Sequence, residues 1–517
     1  MQYDVVHIGF KMCKLPTLKS SLFRLALVSA VLLLIQSAGF SKDYDIIKFG
    51  AISDGKTLNT KAIQKAIDQA FKDGGGRVLI PSGRFLTGSI ILKNGVELNL
   101  AKKATLLGST TPGDYVKLNR WFALVMADEA NDIAITGKGT IDGQGLALAL
   151  HIDSLFYAGQ IDSSKYDLAE KRPLVTIRPQ IIEFVNCRNI KVTEVTIKNA
   201  ASWVQSYFQC SHVEIDKIRV ESDTYWNNDG IDIIDSKNVR ITNSYFNSSD
   251  DGICLKSYNY PRDQNTFCDS IYIGNCTVRS SASAIKFGTA SYSGFKNITI
   301  ENIKVFDTFR SAIALESFDN GSLENVLIQN VNAKNTGNAI FIRLGKRYAD
   351  NRVGSIRNIT IRNVKVSVPF QRPDADYVYR GPALPYFHNI FPSSITGIPG
   401  YPVENVVLED IQITYPGRGH KGYSNSPLSR LTDIPEQQNK YPEFSMFGEL
   451  PAWGFYVRHV DGLKMKNVTV RIKDPDYRPA FVFDDVNELF LNSVQVKGDE
   501  KSNPIILHNT ENVEIVE

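Results

Sequence analysis

Cysteine, histidine, methionine and tryptophan are all scarce in this 517-residue chain, at six, seven, five and four residues. Six cysteines in so long a chain are not a disulfide scaffold. Cys187, Cys210, Cys254, Cys268 and Cys276 also have none of the spacings of a zinc site. The histidines (His7, His151, His212, His388, His420, His459 and His508) show neither metal nor triad spacing, which leaves a Ser-His-Asp or Cys-His hydrolase little support. An excess of one charge is missing too. Lys plus Arg is 58 and Asp plus Glu is 55, a net charge of +3, so a general nucleic-acid binder is not expected. Beyond the N-terminus no apolar run approaches the roughly 18 residues of a membrane span. What remains, 43% hydrophobic, 22% charged and 10% aromatic residues, is a globular composition. At roughly 100–200 residues per domain it fits three domains or one elongated repeat domain.

Residues 1–41 read as a signal peptide. Lys11, Lys14, Lys19 and Arg24 precede the apolar stretch Leu25 to Ile35, and the small residues Ser37, Ala38, Gly39 and Ser41 follow. Met12 would be a more ordinary start than Met1, and the other reading of the stretch is an uncleaved anchor. Cys13 precedes the apolar run and so is not placed as a lipoprotein cysteine. The expected location is outside the cytoplasm: periplasmic, extracellular or at the cell surface.

From residue 42 to 517 a short pattern recurs: polar, apolar, polar, apolar, polar, Asn. It appears as Asn238-Val-Arg-Ile-Thr-Asn243, Ser270-Ile-Tyr-Ile-Gly-Asn275, Asn297-Ile-Thr-Ile-Glu-Asn302, Asn325-Val-Leu-Ile-Gln-Asn330 and Asn358-Ile-Thr-Ile-Arg-Asn363. Asn405-Val-Val-Leu-Glu-Asp410 and Gly462-Leu-Lys-Met-Lys-Asn467 continue it, and earlier versions start at Asn189 and His212. The starts advance by 23, 26, 32, 27, 28, 33, 47 and 57 residues. A period in the twenties with two-residue alternation is the mark of a β solenoid, whose units bury their apolar faces only by stacking. The fold expected is all-β, one right-handed parallel β-helix. The recurrent asparagines should share a turn position, take the left-handed backbone there and bond in a ladder. Cys187, Cys210 and Cys268 share another column, read as buried thiols in preference to a bridge. Thr60 to Ala70 has the apolar spacing of an amphipathic helix ended by Gly74 to Gly76, suited to cap the stack. Two stretched intervals, near 366–404 and 415–453, carry Pro- and Tyr-rich insertions of the kind that shape binding sites.

Carboxylates gather in one region. Asn227-Asn228-Asp229-Gly230-Ile231-Asp232 and Ser249-Asp250-Asp251-Gly252-Ile253 are about one coil apart, and each Asp-Gly-Ile leads into a strand. In register, Asp229 and Asp251 stack on adjacent coils with Asp250 beside them. Like charges so close should raise at least one pKa, which suits a general acid. A paired acid and base is the chemistry of glycosidic-bond hydrolysis.

On these residues the chain resembles family 28 of the glycoside hydrolases, the polygalacturonase group. That family carries Asn-x-Asp and, one coil later, Asp-Asp, matched here by Asn227-Asn228-Asp229 and Asp250-Asp251. Ile141-Asp-Gly-Gln-Gly145, Arg178-Pro-Gln-Ile-Ile-Glu-Phe184 and Asn199-Ala-Ala-Ser-Trp203 agree, and the likeness runs from about residue 44 to at least 345. The resemblance implies an inverting hydrolase that needs no metal or other cofactor. Asp250 would be the proton donor, and Asp229 and Asp251 would hold and deprotonate the attacking water. It implies a polysaccharide or oligosaccharide substrate, pectic first, and a monomer was the expected state.

Two departures stand out. Ser283, in Ala282-Ser283-Ala284, replaces the histidine of the family's Gly-His-Gly. Ala314-Leu315-Glu316 stands where the family's Arg-x-Lys grips a galacturonate carboxylate. Column alignment offers replacements: Lys286 one coil before Ala314, Arg343 one coil after Glu316, and Lys256 one coil from Lys286. Glu316 could instead bond the hydroxyls of a neutral sugar. Asn227 and Asp232 join the substrate-binding set, as do Tyr225, Trp226 and Tyr258, which flank the carboxylates and suit sugar stacking or ordinary packing. Two other readings stay open. One is a Ca²⁺-dependent polysaccharide lyase with Lys256 or Lys286 as base. The other is a non-catalytic carbohydrate-binding solenoid.

Overall fold

A strand that alternates polar and apolar residues buries one face, and stacking identical strands in register buries that face along a whole column. The computed structural model describes residues 42–258, 266–347, 352–373, 377, 389–422, 426–499 and 503–516. The expected signal peptide at 1–41 lies outside the described residues, as does much of the first insertion. Asp43–Glu517 forms one compact unit.

The unit is a coil of short strands in parallel register. One line of strands runs Gln180–Val185, Gln205–Phe208, Ile231–Ile234, Ile253–Ser257 and Ile285–Ser291. A second runs Arg188–Thr193, Ser211–Asp216, Lys237–Thr242 and Cys268–Gly274. A third runs Thr196–Lys198, Arg219–Ser222, Tyr245–Ser248 and Thr277–Ser280. Further on, two or three of these merge into single long strands, Gly294–Ser317 and Ser322–Leu344. The core is a set of aliphatic columns. Val192, Ile215, Ile241, Ile273, Ile300, Ile328, Ile361, Leu408, Met465 and Leu491 follow one another from coil to coil, all buried. Each such side chain is worth about 1.5–3 kcal/mol of burial.

The asparagine turns are as the repeat predicts. Asn243, Asn275, Asn302, Asn330, Asn363 and Asn467 have φ of 53, 56, 57, 58, 50 and 52°. Their amides donate along the stack: Asn275 to Asn243 at 3.2 Å, Asn302 to Asn275 at 3.1 Å, Asn330 to Asn302 at 3.0 Å and Asn363 to Asn330 at 2.6 Å. A second ladder joins Asn297, Asn325, Asn358 and Asn405 at the repeat starts. Cys187, Cys210 and Cys268 are buried free thiols.

The helix spans Thr60–Lys72, two residues beyond its expected end, with Ile63, Ala66, Ile67 and Ala70 buried. It packs against Asp43–Asp45 and Gly76–Ile80 at the start of the coil. Gly75 ends it by donating to Ala70 O at 2.9 Å with φ 119°, and a side chain there would meet Gly95 O at 2.8 Å. The only antiparallel pair between named strands, among the described residues, is Tyr166–Asp167 with Arg172–Pro173.

The ladder makes a stability prediction. Asn302→Ala loses two amide bonds and keeps an unfavourable positive φ, so it should lower unfolding stability by about 1–3 kcal/mol. Asn302→Gly, which tolerates the backbone, should cost less. Urea denaturation of the two variants checks the order.

Candidate active site

The turn before the strand Ile231–Ile234 and the turn before Ile253–Ser257 stack because the strands pair Ile231 with Ile253 and Asp232 with Cys254. The ladder continues through the turns: Gly230 N donates to Asp251 O at 2.8 Å and Gly252 N to Ser283 O at 2.8 Å. Asp229, Asp251 and Ser283 therefore share one column. The neighbouring column holds Asp250, then Ala282, then Arg310, whose N–H donates to Ala282 O at 2.9 Å. The glycines after the aspartates are required by close approach. A side chain at Gly230 would meet Gly252 O at 2.5 Å, and one at Gly252 would meet Val278 Cγ1 at 2.3 Å.

Asp229 and Asp251 are buried, and their carboxylate oxygens, with Cys254 Sγ, lie within 4.8 Å of one another. Three such groups are close enough to ligate an ion. Lys256 Nζ already lies 2.8 Å from Asp229 Oδ2 and 3.0 Å from Cys254 Sγ, and also bonds Asp232, so a positive charge here is supplied by the protein itself. The ammonium rests 4.6 Å from the Trp203 ring, which stacks on Trp121 at 5.0 Å. Burial works against charge on Lys256, but Asp229 and Asp232 outweigh it and hold its pKa well above the ordinary lysine range. Burial pushes Asp232 up to about 6 against the pull of Lys256. Asp251 accepts from Ser283 N at 3.0 Å, so the residue in the place of the family's histidine contributes its backbone.

Asp250 is set apart. It accepts from Asp251 N at 3.0 Å and from Asn227 Nδ2 at 3.3 Å. Arg178 fixes Asn227 by donating to its Oδ1 at 2.6 Å and to the carbonyls of Ala201 and Trp226 at 2.7 and 2.8 Å. Burial and then the charge of Asp251 raise the Asp250 pKa, with Arg310 and Lys256 opposing.

A cleft of about 550 Å³ opens over Asp250, walled by Asn227, Trp226, Ala282, Arg172, Arg310, Tyr441 and Glu443 among others. Sequence reasoning missed Arg172, Arg310, Tyr441 and Glu443. Arg172 arrives on the antiparallel hairpin and Tyr441 and Glu443 on the second insertion, so none carries a repeat signal. Of the expected aromatics only Trp226 lines this cleft. Tyr225 is buried with its ring 5.2 Å from the Arg178 guanidinium, and Tyr258 packs beside Trp203 with Arg120 at 4.7 Å.

The relocated cations are in the expected columns, since Lys286 pairs with Ala314 and Glu316 with Arg343. They do not line the cleft. Lys286 and Glu316 form a fully buried ion pair. Arg343 is buried and donates to Gly397 O at 2.6 Å and to Glu436 O. Ala314 is covered by Phe341, Phe391 and Phe444, the last from the second insertion. The insertion thus seals the sheet face on which the sequence alone placed outward charges.

A solenoid of parallel strands bearing a carboxylate cluster at a cleft is the class of protein defined so far. Residues 74–368 match the family model for glycosyl hydrolases family 28, and the chain belongs to that family. It is 26% identical over 338 residues to a "Probable polygalacturonase" of Vitis vinifera, covering 62% of this chain and 60% of that protein. It is 27% identical over 356 residues to an exo-poly-alpha-D-galacturonosidase of Dickeya chrysanthemi, covering 60% and 58%. The chain thus spans about three-fifths of the length of these curated relatives. The hyperthermoactive exopolygalacturonase of Thermotoga maritima shares the fold, with a TM-score of 0.57 at 24% identity over 72% of this chain and 87% of that one. Among the described residues no helix is long and apolar enough to cross a membrane.

The buried charges allow a direct check. Lys256→Met strands Asp229 and Asp232 without their cation and should destabilise the fold by about 3–5 kcal/mol. Adding Asp232→Asn should recover part of that loss, because the two sites are coupled. Denaturation midpoints of the single and double variants measure it.

Proposed function

We propose that this chain is an inverting glycoside hydrolase acting on a uronate-containing polysaccharide of the pectic type. The observation that carries the reading is the division of three aspartates on two adjacent coils. Asp250 faces the open cleft, while Asp229 and Asp251 lie within 4.8 Å of each other behind it. Asp250, with its raised pKa and no bonded cation among its described hydrogen-bond partners, keeps its proton and gives it to the leaving glycosidic oxygen. Asp229 and Asp251 hold a water and take its proton as it attacks the anomeric carbon from the opposite face, the division of roles used by inverting enzymes. Burial raises the Asp229 pKa, and Lys256, donating to it at 2.8 Å, works against that rise. Trp226 offers a ring for sugar stacking. Family membership and relatives named as polygalacturonases support the substrate class.

The same reading includes export through the N-terminal segment, right-handed winding of the coil, closure of its first rung by the helix Thr60–Lys72, and action as a monomer. Hydrolysis is favoured over a lyase because the acidic group already holds the Lys256 ammonium, which leaves that lysine an ion-pair partner and not a base.

Asp250→Asn should cut release of reducing ends from polygalacturonate by about 10²–10⁴-fold, the usual contribution of a general acid, while the circular dichroism and melting temperature stay unchanged. Proton NMR of the first product should show the inverted anomer. Wild-type-like rates in the variant would remove the acid assignment, and a product absorbing as an unsaturated uronate would replace hydrolysis by elimination. The alkaline limb of the pH–rate profile should follow loss of the Asp250 proton, so activity falls as pH rises through its elevated pKa.

A further inference from the structure

The family resemblance places the carboxylate grip at Arg-x-Lys, and this chain has Ala314 and Glu316 there, the first under aromatic side chains and the second locked to Lys286. Arg343 gives its donors to backbone carbonyls. An acidic sugar entering this cleft therefore meets none of those residues.

It meets Arg310. That residue lies in the column of Asp250, two rungs along, with only the methyl of Ala282 between them. At about 4.8 Å per rung the two stand roughly 10 Å apart along the cleft floor, and all three residues line the cleft. Arg310 is mostly buried, at 15% side-chain exposure, and pairs with Glu443 at 2.9 Å. Its Nε is buried with no hydrogen-bond partner among the described residues. A guanidinium carries five donors in a fixed fork suited to a carboxylate. Its counterion here comes from the second insertion and itself faces the cleft. Arg172, the other cation of the cleft wall, is paired with Glu170 and stacks on the Trp226 ring at 4.8 Å.

Resting on the hydrolase reading above, we infer that Arg310 is the anion grip of this cleft: it binds the carboxylate of a uronate unit seated beyond Ala282, and that carboxylate takes the place of Glu443. The exchange is charge for charge, so the guanidinium never loses its counterion. A neutral or esterified sugar has nothing to offer in exchange and leaves the Arg310–Glu443 pair closed across the cleft. Selection for the free acid thus comes from a residue outside the columns the family uses for it.

The test uses the full chain with Asp250→Asn, so that ligands bind without turnover, and calorimetry with trigalacturonate and with its methyl ester. The acid should bind at least about tenfold more tightly than the ester, as expected for a charge-assisted bond in a partly buried site. Adding Arg310→Gln should bring the two affinities to within about twofold with the ester's affinity unchanged. Adding Glu443→Gln in place of Arg310→Gln should tighten the acid alone, about threefold or more, and that gain should vanish when Arg310→Gln is also present. A preference for the acid that survives Arg310→Gln overturns the inference, and so does equal weakening of both ligands in the two variants. Cleavage of polygalacturonate by the wild type together with either result leaves the hydrolase reading standing and removes only the role of Arg310. Failure of the wild type to cleave polygalacturonate, with no binding of either trimer to Asp250→Asn, overturns the hydrolase reading and this inference together.

Discussion

Parallel stacking of successive coils in register is the constraint on which everything else depends. Two residues one repeat apart in the chain are set side by side at about 4.8 Å, whatever their chemistry. For the interior this is favourable, since an isoleucine column packs like on like. For the turns it selects asparagine, which accepts a left-handed backbone and bonds to its own copy on the next rung. For aspartate it is costly. The fold places Asp229 and Asp251 together because the ladder leaves them no other position, and the surrounding residues compensate through Lys256 on Asp229 and the Ser283 N–H on Asp251.

Register was also what made the molecule legible. The two-residue alternation and the recurring asparagine identified the strands, the turns and the columns, and Lys286 with Ala314 and Glu316 with Arg343 pair as the alignment had them. Alternation says which face of the sheet a residue takes. It does not say what lies over that face. The alternation points Lys256, Lys286 and Arg343 toward a ligand, and all three are buried, with Lys256 and Lys286 in ion pairs and two Arg343 nitrogens on backbone carbonyls. The covering material is aperiodic: the insertion bearing Tyr441, Glu443 and Phe444 has no repeat to align, and the hairpin that brings Arg172 breaks the parallel rule altogether. Arg310 lies inside the repeat and was missed for another reason. Its importance depends on Glu443, far along the chain, and no spacing links the two.

The two insertions cover the sheet face on which the chain departs from the family's motif. With Phe391 and Phe444 packed over Ala314, an arginine at that position would have to be buried without a partner. Glu316 and Lys286 form a neutral pair whose two members are both almost wholly inaccessible. Among the described residues the cations that line the cleft are Arg172, carried by the hairpin, and Arg310, carried by the coil.

Under the hydrolase reading, the charge distribution bears on which aspartate acts as acid. Four carboxylates, Asp229, Asp232, Asp250 and Asp251, gather around the buried ammonium of Lys256, while the buried ammonium of Lys286, one rung on, is paired with Glu316. Lys256 reaches Asp229 and Asp232 directly and is committed to them. Asp251 is supported by a backbone N–H from the next rung. Among the described residues the Asp250 carboxylate receives the amide of Asn227 and the N–H of its neighbour, while burial and then the charge of Asp251 oppose its ionisation. Burial and the charge of Asp251 raise its pKa, and of the four it is the one that lines the cleft. Under the hydrolase reading these two properties have to coincide: a protonated carboxyl sealed in the core reaches no substrate, and an exposed carboxyl with a cation of its own would already be ionised. Stacking brings the like charges together, and Lys256, bonded to Asp229 and Asp232, leaves Asp250 with no cation among its described hydrogen-bond partners, which is what the hydrolase reading asks of its donor.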